Sequence, residues 1–349
     1  MAGAVANRGV RLWARRIAAA AAIGYLAALV LIVLLLHTVG ERWWATGVGL
    51  YLPRLGFALP LPFVVALLLL FGPRELLYSQ LAALLIVVFP LMGFVVSVPT
   101  SRGEPSLRVL SFNVNSAYFG VDVVVDAITS YSPDVVLIQE IFDNGNELEA
   151  ALKPHFPTVL RSTQFIVATK YAVDSTVEPG KLPHEGRARS PRFIRYTAKT
   201  ALGEVVLYNV HPISPRYGMY AIRGKGFRRE LLTGRFLKAE NTDEMQGDSE
   251  LRKSQVEAFA RSAAAETGTV IIGGDTNLPT LSPILSNLSP FVEGFPSTGF
   301  GFGYTFPAKL PWMRIDRILT SRDLTFTSFT VGCKGASDHL CVVADVRRR

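Results

Sequence analysis

The sequence predicts an α/β protein in which two β-sheets pack face to face with helices outside, preceded by an apolar helical region. Two observations lead there. From Leu107 onward the chain breaks into short apolar runs separated by turn residues, with too few helical stretches for a simple βαβ alternation. The first hundred residues, by contrast, hold seven Arg, no Lys, two Glu and no Asp, which leaves 29 basic and 26 acidic residues for the rest. The overall 18% charge, below the roughly 25% usual in soluble proteins, therefore averages a membrane-like part and an ordinary globular part. This excludes a fully soluble enzyme, a disordered chain and a small disulfide-built domain. It also removes the net charge of +8 as an argument for nucleic acid, because five of those charges lie in the first hundred residues.

Taken in order, residues 17–39 come first. They are apolar except for His37 and Thr38, and they are long enough to cross a hydrocarbon core of about 30 Å. Arg8, Arg11, Arg15 and Arg16 precede them. The run exceeds a signal peptide's apolar region, so it reads as a retained helix with its N-terminus in the cytoplasm. A shorter candidate, 55–72, contains Pro60 and Pro62, and a third, 76–98, contains Pro90. Three spans make residues 1–98 a multi-pass membrane region and place residue 101 outside the cytoplasm. No ionisable residue lies in the middle of a span, so the region reads as an anchor rather than a transport pathway. Residues 99–106 are a Pro-, Ser- and Gly-bearing linker, and 107–349 form the globular domain.

Within that domain the strand candidates are 108–113, 134–139, 165–169, 193–199, 204–209, 269–273, 314–320, 325–331 and 341–346. Helix candidates are 122–131, 146–153, 250–266 and 281–287. Cys333 and Cys341 have no zinc-ligand spacing. They stand either as a pair across a terminal hairpin or as two buried thiols.

Polar residues mark the strand ends. Asn113 and Asn115 end LRVLSFNVN, Glu140 ends DVVLIQE, and His211 ends VVLYNVH. Asp275 and Asn277 follow VIIGG, Asp316 sits in MRIDRIL, and Asp338 and His339 precede LCVV. One Asn or Asp at a strand end is an ordinary turn former. An ionised Glu after a buried strand needs a partner or a metal. Six such segments together supply the types that bind cations and move protons.

This ordered set resembles the endonuclease/exonuclease/phosphatase superfamily, which includes pancreatic-type deoxyribonucleases, abasic-site endonucleases, neutral sphingomyelinases and inositol polyphosphate 5-phosphatases. The resemblance covers about residues 105–349 and none of the apolar region. It implies a four-layer sandwich of two sheets flanked by helices, hydrolysis of a phosphoester and a divalent metal, Mg²⁺ or Mn²⁺. It implies Glu140 as principal metal ligand, with Asn113 and Asp338 close by. It further implies Asp275 as the residue that orients or deprotonates water, with Asn277 and His211 on the phosphate. His339 is then the cationic donor or general acid/base, held by Asp316. His rather than Tyr at 211 resembles the deoxyribonuclease-, sphingomyelinase- and 5-phosphatase-like branches.

Residues 216–249 form an insertion rich in Arg and Lys, with Arg223, Lys225, Arg228 and Arg229 within seven positions. It reads either as a solvated loop or as a basic lid that binds anionic substrate. The expected function is that of a membrane-anchored, Mg²⁺-dependent phosphoester hydrolase. Its partners are the bilayer and a lipid-headgroup or nucleic-acid substrate, with no protein partner inferable. The alternative is a catalytically silent binding or scaffold protein on the same fold.

Overall fold

The computed structural model describes the backbone of residues 2–97, 106–216 and 240–349, and the side chains of 9–97, 106–216 and 246–349. The chain divides into two compact units, one of Met1–Phe94 with Leu281–Pro283, the other of Val95–Thr280 with Ile284–Arg349.

The first unit is helical: α1 (Ala2–Thr38), α2 (Trp44–Tyr51), α3 (Pro60–Phe71) and α4 (Leu77–Ile86). Three stretches are long and apolar enough to cross a membrane: Gly9–Thr38, Arg54–Phe71 and Arg74–Leu91. Pro60 and Pro62 do not break α3, because they occupy its first turn, where no intrahelical N–H is lost. The last stretch continues α4 as a π-helical segment, Val87–Leu91, around Pro90. Helix therefore stops at Leu91, short of the expected 98, and Gly93 turns the chain at φ 74°. Ala18 and Ala22 of α1 let Val64 and Leu68 of α3 approach closely. The Arg54 guanidinium is buried and donates to the carbonyls of Leu91 at 2.7 Å and Leu50 at 3.0 Å. It thereby satisfies backbone oxygens at helix ends that no water reaches. Outward-facing Ile23, Leu31, Leu34, Phe63, Leu70 and Leu81 leave the unit's surface apolar.

The second unit begins with β1 (Val95–Val96), β2 (Leu107–Asn113), α5 (Val121–Thr129), β3 (Val135–Gln139) and α6 (Gly145–Leu152). Next come β4 (Thr158–Ser162), β5 (Phe165–Thr169), β6 (Val173–Val177), β7 (Leu182–His184) and β8 (Arg187–Arg189). They lead to β9 (Phe193–Thr200), β10 (Gly203–Val210), α7 (Glu240–Ala264) and β11 (Thr269–Asp275). The chain finishes with β12 (Val292–Glu293), α8 (Gly294–Thr298), β13 (Phe300–Gly301), β14 (Asp316–Thr320), β15 (Leu324–Gly332) and β16 (Cys341–Arg348). The helix expected at 281–287 is a 3₁₀ turn, Pro283–Leu288.

Two six-stranded sheets result, ordered β15-β16-β2-β3-β5-β4 and β12-β14-β11-β10-β9-β6. Their facing sides bury Val109, Leu137, Val167, Tyr196, Leu207 and Ile271. Val124 and Ile128 of α5 and Leu148 of α6 cover the outer face of the first sheet, and Val256 and Phe259 of α7 cover that of the second. The fold is thus four layers, helix–sheet–sheet–helix.

Strand direction places the site. In each sheet two central strands are parallel, β2 with β3 and β10 with β11, so their C-terminal ends share one edge. Asn113 pairs with Gln139, and Val210 with Gly274. β14 and β16 run antiparallel to β11 and β2, so their beginnings reach the same edge, with Asp316 opposite Asp275.

The sheets approach closely there. A Cβ on Gly273 would meet Leu137 Cδ1 of the other sheet at 2.7 Å. Two fully buried amides bridge the gap. Gln139 Nε2 donates to Asn209 Oδ1 at 2.7 Å, and Asn209 Nδ2 donates to the carbonyls of Ile138 at 3.0 Å and Ile166 at 3.1 Å.

Cys333 and Cys341 are joined in a disulfide, the paired alternative of the two that the sequence left open. The bond closes the loop that carries Asp338 and His339. Breaking it by Cys333→Ser with Cys341→Ser should cost about 2–3 kcal/mol, the loop-closure entropy of a short ring. Equilibrium denaturation of parent and variant in the same detergent measures the difference.

Candidate active site

Asn113 enters the site from the end of β2, and its side chain is fully buried. Its Nδ2 donates to Asp275 Oδ2 at 3.1 Å, and its Oδ1 accepts the Asn115 N–H at 3.1 Å. One amide thus ties a residue of the first sheet to the carboxylate of the second. Glu140 follows β3 with a left-handed backbone, φ 56°. That conformation is uncommon without glycine and, in a non-glycine residue, is held by its surroundings. Ser116 N–H donates to the Glu140 carbonyl at 2.6 Å, which fixes the turn.

His211 follows β10 and is buried. Its Nδ1 lies 2.7 Å from Gln164 Oε1, and its Nε2 lies 3.2 Å from Glu140 Oε1 and 3.8 Å from Asp275 Oδ2. Gln164 Oε1 accepts from Nδ1–H and so aims Nε2 at the carboxylates. Asp275 ends β11, and its Oδ1 accepts the Asn277 N–H at 2.8 Å. Asn277 has φ 52°, again left-handed, and its Nδ2 donates to the Pro212 carbonyl at 3.0 Å.

His339 Nδ1 lies 3.0 Å and 3.2 Å from the two Asp316 carboxylate oxygens, and its Nε2 lies 3.7 Å from Asp275 Oδ2. The ring of Phe306 packs against it with centroids 4.6 Å apart. Asp338 is more open. Its carboxylate lies 3.3 Å from Ser337 Oγ and 3.8 Å from Arg216 Nη2. Ser337 Oγ also donates to the Asn113 carbonyl at 2.8 Å, which joins the 333–341 loop to β2.

Of the expected residues, contacts therefore connect Asn113, Glu140, His211, Asp275, Asn277, Asp316 and His339, with Asp338 adjoining His339. Arg223, Lys225, Arg228 and Arg229 lie outside the described residues. Sequence reasoning did not single out Gln164, Phe306, Ser337 or Thr276. Gln139 and Asn209 were detectable as amides inside otherwise apolar strands, a placement that demands a buried partner.

The electrostatics separate the roles. Burial opposes ionisation of Glu140, but the close His211 and the charges of His339 and Arg216 outweigh it and hold the carboxyl at about 2. Burial pushes the Asp275 carboxyl up against the pull of His339, and neighbouring Asp316 and Glu140 push it further. For His339 burial disfavours the imidazolium, yet Asp316, Asp275 and Asp338 prevail and raise it to about 10. Among the described residues, four carboxylates thus face the imidazolium of His339, with the guanidinium of Arg216 beside Asp338. The excess negative charge and the oxygen-rich donor set fit a hard divalent cation. Atoms of Asp275, Asp316 and His339 also lie within 4.8 Å of one another, a spacing that could hold a metal, although this trio differs from the ligands expected from the sequence.

The Endonuclease/Exonuclease/phosphatase family matches residues 110–339, and the chain belongs to that family. Its members are metal-dependent phosphoester hydrolases. A family protein from Beutenbergia cavernae DSM 12333 has a similar structure, with 17% identity and a TM-score of 0.52 over 70% of this chain and 72% of that one. Another from Bacteroides vulgatus has 15% identity and a TM-score of 0.50 over 70% of this chain and 100% of that one. At such identities the likeness shows the fold alone. Comparison with curated proteins found no match.

The raised His339 gives a signed pH dependence for the metal-free protein. The stabilisation from the Asp316–His339 pair is fully present below the ordinary imidazole value of 6.5 and is lost as pH rises through about 10. Asp316→Asn should therefore be much less stable than the parent at pH 6, with the gap closing above pH 10. Thermal unfolding of both across that pH range, in chelator, reads the effect.

Proposed function

We propose that the chain is a membrane-anchored, Mg²⁺-dependent phosphoester hydrolase, with Mn²⁺ able to substitute, that acts on a lipid headgroup or a nucleic acid. The observation that carries this reading is the convergence of four carboxylates, two imidazoles and two amides on one edge of two packed sheets.

Glu140 is the best principal ligand. Its side chain is 21% exposed, and its carboxyl stays ionised far below neutrality. Asp316 is engaged with the His339 ring and Asp275 with Asn113 and Asn277, so both are less available. Asn113 and Asp338 complete the cation's surroundings. When bound, the cation supplies charge neutralisation at the phosphoryl oxygens and at the leaving group.

Asp275, whose carboxyl burial pushes up, orients the attacking water and takes its proton. The His339 imidazolium, held at Nδ1 by Asp316, gives its Nε2 proton to the departing oxygen as the P–O bond breaks. Asn277 and His211 donate to the phosphoryl oxygens from either side and meet the charge that builds in the transition state. Arg223, Lys225, Arg228 and Arg229 contact the anionic substrate beyond the reacting phosphate. Three spans from a cytoplasmic N-terminus would leave this domain outside the cytoplasm. The Cys333–Cys341 disulfide supports that side, because such bonds persist in oxidising compartments.

A hydrolysis screen of the full chain in detergent, with and without Mg²⁺, tests the reaction class. Its substrates are plasmid DNA, RNA, phospholipid and phosphoinositide vesicles and bis-p-nitrophenyl phosphate. In the active assay Asp275→Asn and His339→Ala should each lower kcat by at least about 100-fold. Glu140→Gln should raise the Mg²⁺ concentration needed for half activity while circular dichroism stays unchanged. Wild-type Mg²⁺ dependence in that variant would remove Glu140 from the cation.

Topology has its own test. An alkaline phosphatase fusion at Arg102 should be active and a green fluorescent protein fusion dark. The reverse pattern would place the domain in the cytoplasm.

A further inference from the structure

Asn277 keeps its left-handed backbone only if its neighbours hold it, and it directly follows Thr276, whose side chain is fully buried. The Thr276 N–H donates to the Ile315 carbonyl at 2.9 Å, and the Thr276 hydroxyl donates to the same carbonyl at 2.7 Å. That hydroxyl also accepts from Arg317 Nη1 at 2.6 Å, and Arg317 Nη1 reaches the Ile315 carbonyl at 3.2 Å. Guanidinium, hydroxyl and carbonyl close a three-membered ring of hydrogen bonds behind Asp275 and Asn277.

Arg317 is 1% exposed, and nothing about packing calls for a charge there. A buried cation is costly unless paired. Its Nε lies 3.4 Å from Glu293 Oε1, and Arg314 Nε lies at the same distance from the same oxygen. Two guanidiniums therefore share one carboxylate. Arg314 is braced separately, over the Phe295 ring at 4.9 Å and on the Phe302 carbonyl at 3.2 Å. The remaining opposite charge near Arg317 is that of Asp316 and Asp275, whose fields act on it.

We propose that Arg317 is a positioning residue for the Asp275–Asn277 turn, acting through the Thr276 hydroxyl from behind the site and never touching substrate. The inference rests on the phosphoester-hydrolase reading of that site. Glu293 holds the guanidinium plane, Nη1 holds Thr276, and the turn in consequence aims Asp275 at the water and Asn277 at the phosphate. Glu140 and the cation do not depend on this chain of contacts.

The test compares the full chain in detergent with Thr276→Val, Arg317→Met and the double variant, on bis-p-nitrophenyl phosphate with Mg²⁺. Each single substitution should lower kcat about tenfold or more, the worth of a charge-assisted hydrogen bond. KM and the Mg²⁺ half-saturation should stay at parent values. The double variant should be no slower than Arg317→Met alone, because both act through one contact. Deuterium uptake should rise in peptides spanning 274–278 but not in those of β10. Multiplying effects in the double variant, a shifted Mg²⁺ requirement, or unchanged uptake at 274–278 would overturn the proposal. If Arg317→Met does not fold, Thr276→Val carries the same kinetic and exchange criteria alone. If the parent hydrolyses no phosphoester, the reading of the site fails, whereas the exchange measurement still decides whether Arg317 holds the turn.

Discussion

The hydrogen bond from Gln139 to Asn209 fixes how one sheet sits on the other. Apolar contact between sheets is non-directional and tolerates sliding. A buried amide does not, because leaving it unpaired costs about 1–3 kcal/mol. Gln139 immediately precedes Glu140, and Asn209 lies two residues before His211. Registry between sheets and geometry at the edge are therefore one constraint. Gly273 makes the constraint possible, since a side chain there would hold Leu137 and the first sheet away. The bond from Asn113 to Asp275 repeats the link one level higher, at the carboxylate cluster.

Much of this edge was legible in the sequence, for a physical reason. Strands β2, β3, β10 and β11 are mostly buried on both faces, so they read as largely apolar runs, and the polar residue that closes each run stands out. Edge strands give no such contrast. β4 is half-buried and β6 largely exposed; neither was expected, and Gln164 in the β4–β5 turn stayed concealed. Arg317 was hidden by its type, because an Arg inside MRIDRIL reads as a solvent-facing strand residue while its side chain is buried. Thr276, between Asp275 and Asn277, reads as a spacer until the backbone shows what its hydroxyl touches.

The helical unit carries a comparable lesson. Arg54 looks like a charge flanking an apolar run, yet it turns inward to the carbonyls of Leu50 and Leu91. Pattern reading counts residues along a segment and does not see which helix ends lack partners. Pro90 lies inside the apolar run, but helix ends at Leu91, Gly93 turns the chain, and Val95–Val96 pair with Phe300–Gly301, nearly two hundred positions away in the chain. Local propensity could not report a partner so remote.

Glu140 and Asn277 both hold left-handed backbones, and both carry side chains that the proposed chemistry requires. Glycine at either position would relax the main chain and abolish the function in the same stroke. Selection for thermal robustness and selection for turnover thus pull against each other at these two residues. A laboratory evolution experiment that screened for folded protein alone would drift toward glycine at 140 and 277, and its winners would be sturdy and inert.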